Sequence, residues 1–237
     1  MSYRIVSISF AFFFLCNGCT PNSTDIFTPT TTPRIAPTVL SVLLGEAPHI
    51  DGTIEAGEWD GAITEFFDDQ SKLFLMRDKE YLYLGIRSST QEMIAANIFL
   101  TANNRISIHH TSAALGTAIY QKDADDWLKT QDFKWRCRAT NNSEESVSER
   151  DAFLQSEGWL AANSRIGTPN DLEYQIKITE ENFSIAVAFM RTSAPDKRVY
   201  WPTNLVDSVT QSYPDGLPEK GIFHPDAWGE LDLSLQE

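Results

Sequence analysis

Short runs of alternating or continuous apolar residues, separated by polar turns, organise most of the chain. Leu73-Phe-Leu-Met76 and Tyr81-Leu-Tyr-Leu-Gly-Ile86 read as two strands joined through Arg77-Asp-Lys-Glu80. Asn97-Ile-Phe-Leu100 and Arg105-Ile-Ser-Ile108 form a second pair around a turn at Asn103-Asn104. Phe133, Trp135 and Cys137 alternate with Lys134, Arg136 and Arg138, which predicts a strand whose buried face carries both rings and the thiol. Glu173 to Ile178 and Phe183 to Phe189 follow, linked by Thr179-Glu-Glu-Asn182, and Gly229 to Leu235 closes the series. Helical period appears only around Glu55–Trp59 and Asp151–Leu160. Many short strands with polar turns predict an all-β fold, a single β-sandwich domain.

The first residues stand outside that pattern. A short positive start, Met1-Ser-Tyr-Arg4, precedes an apolar run from Ile5 to Leu15, too short to span a bilayer as a helix and suited to a signal-peptide core. Leu15-Cys16-Asn17-Gly18-Cys19 then resembles a bacterial lipoprotein signal, which implies lipidation at Cys19; ordinary cleavage nearby is the rival reading. Thr20 to Pro37 is rich in Thr and Pro and reads as a semi-stiff spacer. The expected organisation is a signal peptide over 1–18, a linker over 19–37 anchored at Cys19, and the sandwich over 38–237. The expected location is the bacterial cell envelope, with the membrane touched through the lipid anchor only. Thr20 after the cysteine suits the outer membrane of a two-membrane organism. Removal of the leader and lipidation of Cys19 would leave Cys137 as a lone thiol, tolerable in an oxidising compartment when buried.

Charge narrows the partners. The net charge of −14 over 237 residues opposes nucleic acid and anionic membrane surfaces as principal partners. No nucleophile elbow, zincin, phosphate-binding or dinucleotide motif is present in the sequence, so a non-catalytic protein is expected.

Several stretches, in order, resemble family 9 carbohydrate-binding modules. Ile50-Asp-Gly-Thr-Ile-Glu-Ala-Gly-Glu-Trp59 is similar to that family's opening signature, and Lys72 to Ile86, with Asp78 before Tyr81-Leu-Tyr83, to the hairpin after it. Glu173 to Ile178 resembles an internal E-x-x-I strand, and Pro225-Asp-Ala-Trp-Gly-Glu-Leu-Asp-Leu233 the closing strand. The resemblance is poor between about Ser88 and Asn170. It implies a DOMON-like sandwich that binds an oligo- or polysaccharide, with calcium as the candidate cofactor. The same resemblance implies two tryptophans clamping the sugar, near Gln91-Glu-Met-Ile94 and Ile222-Phe223, yet neither is present; Arg136 matches a family arginine, and Asn97 stands where an acid is expected.

The candidate ligand-binding residues are therefore Arg136, Asn97 and Phe223, with Trp127 and Trp201 as further aromatics. Trp127 has two readings, an exposed platform or packing on the next strand, and Trp201 reads more readily as core. Trp59 and Trp228 read as core plugs. Lys134, Arg136 and Arg138 are either a solvated basic face or an anion and sugar contact. Asp123, Asp125 and Asp126 offer hard oxygens but lack the spacing of a calcium loop. His109 and His110, adjacent on a strand, face opposite ways and do not share a metal. The leading expectation is carbohydrate binding by an envelope-tethered lipoprotein serving polysaccharide recognition or breakdown. The alternative is a protein-interaction or envelope-assembly module on the same sandwich with the sugar site lost.

Overall fold

The computed structural model describes residues 37–89, 92–164, 170–180, 182–191, 194–203, 205 and 217–234. The strands are β1 (Val39–Ser41), β2 (Ile63–Asp68), β3 (Ser71–Arg77), β4 (Tyr81–Ser88), β5 (Ile94–Ala102), β6 (Arg105–Thr111), β7 (Ala114–Asp123) and β8 (Asp126–Gln131). They continue with β9 (Cys137–Arg138), then helix α1 (Glu144–Glu157), β10 (Trp159–Asn163), β11 (Asn170–Lys177), β12 (Asn182–Arg191), β13 (Ala194–Trp201), β14 (Lys220–Gly221) and β15 (Gly229–Asp232). The larger sheet runs β1-β15-β12-β5-β6-β7-β8-β14, with β13 also on β12 and β9 also on β7; the smaller runs β10-β11-β4-β3-β2. The two sheets face each other as an all-β sandwich.

Local chemistry fixes the hairpins. Asn103 and Asn104 both adopt positive φ, 52° and 60°, which matches the right-handed twist of β5 and β6 and sets Ala102 opposite Arg105. Asp78 closes the β3–β4 turn: its Oδ1 accepts from the N–H groups of Glu80 and Tyr81, each at 2.7 Å, and its Oδ2 from the Tyr83 hydroxyl. The link after β11 crosses from the smaller sheet to the larger, because β11 pairs with β4 and β10 while β12 pairs with β5, β13 and β15. Helix α1 starts at Glu144, earlier than the sequence pattern suggested, because the Ser143 hydroxyl caps the Ser146 N–H; Gly158 ends it in the left-handed region, and Leu160 is in a strand.

Leu73, Leu75, Leu82, Leu84, Ile86, Leu172 and Tyr174 of the smaller sheet meet Ile94, Ile98, Ile185, Val187, Phe189 and Trp201 of the larger in the inner core. Cys137 is buried with them, as its alternation suggested, and burial pushes its thiol pKa up to about 11. The opening signature is a lid on the outer face of the smaller sheet. Trp59 lies over Gly85, where a Cβ would come within 3.3 Å of the indole, and packs with Ile54, Met76 and Tyr83. Glu173 stands opposite Gly85 and holds the lid down. Its Oε2 accepts from the N–H groups of Asp51, Gly52 and Thr53, at 3.1, 2.8 and 3.2 Å, and its Oε1 from the Trp59 indole at 3.0 Å. Asp171 beside it pairs with Arg87 at 2.7 Å and accepts from the Ile54 N–H. The motifs that carried the family resemblance thus have a structural job, which leaves the site to be found elsewhere.

Candidate functional site

On the larger sheet, every second residue of β5, β6, β7 and β12 points away from the inner core. Along half of that outer face Phe99, Ile106, Ile108, Ala118, Tyr120 and Ala186 are covered by Trp127, Phe223 and Trp228, forming a second core. One step further along the strands the character changes. Gly116, His110, Asn97, Ala188 and Tyr200 stand directly opposite one another across β7, β6, β5, β12 and β13. Beyond them lies a parallel row: Arg138 opposite Ala114 at one side, Ala95 opposite Met190 and Met190 opposite Arg198 at the other. Ala188 and Tyr200 still belong to the second core, with Leu205 and Leu217, and Gly116 and Asn97 are buried, so the open part of this strip, the trough, is the second row with its small Ala114 and Ala95, together with the half-buried His110. Four strand spacings make it ~19 Å long.

The floor is polar and fixed. Asn97, only 1% exposed, faces His110 with Oδ1 2.7 Å from Nδ1, so the ring carries its proton on Nδ1. Burial, helped by the charge of Arg198, holds the His110 pKa down to about 4, and the ring is neutral at neutral pH. Tyr200 is buried beside Ala188, hydrogen-bonded to Arg198, and burial raises its pKa.

One wall is aromatic. Phe133 and Trp135 stack at 5.2 Å with 24° between their planes, and the His110 ring meets Trp135 edge-on at 5.0 Å. Gly116 makes the arrangement possible, since a Cβ there would come within 3.0 Å of the Trp135 ring. Trp135 remains 55% exposed. Here the sequence reading is corrected. Residues 132–136 are not a strand, and Trp135 does not share the buried face of Cys137. The chain leaves β8 through Asp132, whose Oδ1 accepts from the Phe133 N–H at 2.8 Å, and rejoins β7 at Arg136, whose N–H donates to the Leu115 carbonyl at 3.3 Å, and at Cys137. Without a continuous ladder the period of two is lost, and the two rings fold over the outer face.

Of the predicted ligand residues only Trp127 and Phe223 come together; Arg136, Asn97 and Trp201 lie apart from them and from one another. Asn97 is buried beside His110 in the first row. Arg136 is exposed next to Trp135, with its guanidinium on Glu157 at 3.0 Å. Trp127 is buried, which resolves its two readings towards packing; its ring is 6.2 Å from that of Phe223, edge to face, in the second core. The two rings also help line a hollow of about 460 Å³ with Asn104, Asp125, His224 and Asp226. Trp201 is in the inner core, its indole donating to Glu65 at 3.2 Å. Of the two places expected to hold a clamping tryptophan, Ile222 is 67% exposed and Gln91 lies outside the described residues, as does Cys19. His109 and His110 face opposite ways, as expected: His109 stacks on Trp159 at 4.6 Å, inside the sandwich. Asp126 pairs with Lys220 at 2.6 Å, and among the described residues no three His, Cys, Asp or Glu side chains gather to hold a metal. Sequence reasoning missed His110, Trp135, Tyr200, Arg198 and Gly116. A glycine inside the apolar run Leu115–Tyr120 was the available signal, because such a glycine marks a close approach of another group.

The structure is thus an all-β sandwich whose larger sheet carries an exposed indole beside a polar strip. No family model matches the sequence, and no curated protein sequence matches it. Among solved structures, the chain is similar to a family 9 carbohydrate-binding module from Caldicellulosiruptor kristjanssonii in complex with cellotriose, with TM-score 0.43, 14% identity, and 84% of this chain and 95% of that chain covered. It is also similar to a Bacteroides uniformis protein ascribed to carbohydrate binding, with TM-score 0.41, 10% identity, and coverage of 82% and 98%. Both likenesses are distant, and the sandwich assignment stands on the strand pairing itself.

Proposed function

We propose that the protein binds carbohydrate, non-catalytically, in the trough across its larger sheet. The observation that carries this reading is Trp135, laid over Gly116 and exposed beside the Asn97–His110 floor. A sugar ring has an apolar C–H face and a polar rim; the indole suits the first and the half-buried His110 imidazole, fixed from beneath by Asn97, the second. The aromatic wall comes from the 132–136 segment, so the absence of tryptophan at position 222 does not remove the means of stacking. A glycan array probed with the mature protein, followed by calorimetry on hits, tests it. Trp135→Ala should weaken binding about tenfold, the worth of roughly 1.4 kcal/mol of ring contact, while circular dichroism is unchanged. A blank array together with specific capture of an envelope protein would favour the interaction-module reading instead.

The same proposal places the domain on the cell envelope in the service of polysaccharide recognition or breakdown. Its support is the Gly18-Cys19 junction and the Thr/Pro-rich spacer that follows. Mass spectrometry of the mature N-terminal peptide should find a diacylglyceryl group on Cys19; a free thiol there would remove the tether.

A further inference from the structure

We propose that the glycan taken by the trough is anionic, with its carboxylate or sulfate groups held by Arg138 and Arg198 at the two sides of the floor. The inference rests on the trough being the sugar site and names the class of sugar. Register fixes the placement. Cys137 points into the inner core, so Arg138, next in β9, is on the outer face opposite Ala114. At the far side Arg198 is opposite Met190 on β13, in the row that borders Asn97 and His110, and it is braced by Tyr200. Between these two guanidiniums the row holds Ala114, Ala95 and Met190, and next to Ala114 the Ser112 N–H donates to the Ala114 carbonyl. None of these side chains is acidic.

The Arg138 side of this row runs against the rest of the molecule. The chain carries 33 acidic and 19 basic residues, and many of its cations are paired with carboxylates: Lys129 with Asp132 and Glu219, Lys220 with Asp126, Arg87 with Asp171, Arg191 with Asp68, and Arg136 with Glu157. Arg138 makes no side-chain ion pair or hydrogen bond among the described residues, and neither does Lys134, on the loop that carries Trp135. An exposed indole flanked by Lys134 and Arg138 is a positive margin on an acidic protein. Guanidinium offers a planar pair of donors that fits a carboxylate or sulfate in two parallel bonds, which a neutral sugar hydroxyl cannot match. The overall negative charge repels polyanions in general, so recognition is confined to chains that reach both arginines.

Calorimetry on the full mature chain decides the matter with four tetrasaccharides: an alginate-type uronate, a heparin-type sulfated glycan, cellotetraose and xylotetraose. At least one acidic ligand should bind about tenfold or more tighter than the neutral pair, and weaken as salt is raised. Arg138→Gln and Arg198→Gln should each cost about tenfold for the acidic ligand and leave any neutral binding within about twofold, whereas Trp135→Ala weakens both. Preference between the uronate and the sulfated glycan names the anion. If Arg198→Gln unfolds, Arg138→Gln decides alone, since that side chain is exposed. Neutral glycans binding as tightly as acidic ones, with the arginine variants silent, overturns the inference and leaves the sugar site standing. No binding of any glycan removes both.

Discussion

At the scale of single residues, two buried ionisable groups carry checkable consequences. Glu173 sits beneath the lid with four N–H donors on its two oxygens, and burial pushes its pKa up to about 8 against those bonds. All four partners donate, so the carboxylate is the form that the geometry fits. Glu173→Gln would turn an amide N–H₂ towards donors and should cost about 2–4 kcal/mol in urea unfolding, through lost hydrogen bonds and groups left unpaired. A loss under about 0.5 kcal/mol would mean that the lid is held by Trp59 packing alone. His109 behaves in the other direction. Stacked on Trp159 and buried, with the charge of Arg105 nearby, its pKa falls from 6.5 to about 3. The unfolded chain therefore takes up this proton near pH 6.5 while the folded chain refuses it, so His109 removes stability as pH falls from about 6.5 towards 3. Denaturation midpoints at pH 7 and pH 5 should fall further for the parent than for His109→Gln, by on the order of 1–2 kcal/mol. Equal shifts would show that His109 is protonated in the fold.

Elements show what the sequence revealed and what it hid. The hairpins of β3–β4 and β5–β6 were legible because Asp78 and the Asn103-Asn104 pair are local devices that act within a few residues. The opening signature was legible as fold because its residues are pinned by Glu173 as the lid, and the closing one because Trp228 and β15 pack into the larger sheet and its second core. The 132–136 segment was misread because alternation in sequence becomes alternation in space only while a ladder holds the strand straight, and this ladder is interrupted between β8 and β9. Nothing local to Trp135 announces Gly116, which lies nineteen residues earlier, in β7. Gly116→Ala tests that coupling. A methyl group there meets the indole at 3.0 Å, so the ring must lift, and glycan affinity should drop several-fold with little change in melting temperature, because Trp135 is exposed. Parent-like affinity would show that the indole position does not matter to binding.

For the whole molecule, the sandwich followed from strand count and turn spacing, and residues Ile35–Glu237 form one compact unit. The site did not follow, because it is assembled by register: Gly116, His110, Asn97, Ala188 and Tyr200 are scattered over more than eighty positions and meet only when five strands align. Phe223, named for its place beside an expected clamping tryptophan, and Trp127, named as a further aromatic, close the second core over the other half of that face and line the hollow there. The two halves give the central claim a direct measurement. In a nitrogen–proton correlation spectrum of the isotope-labelled domain, titration with the uronate tetrasaccharide and then with cellotetraose should move the Trp135 indole, the Asn97 side-chain amide and the Gly116 backbone signals. The Trp127 indole and the Asn104 signals, at the other end of the face, should stay in place. Shifts centred on Trp127 and Asn104, or no shift with either sugar, would contradict a glycan site in the trough.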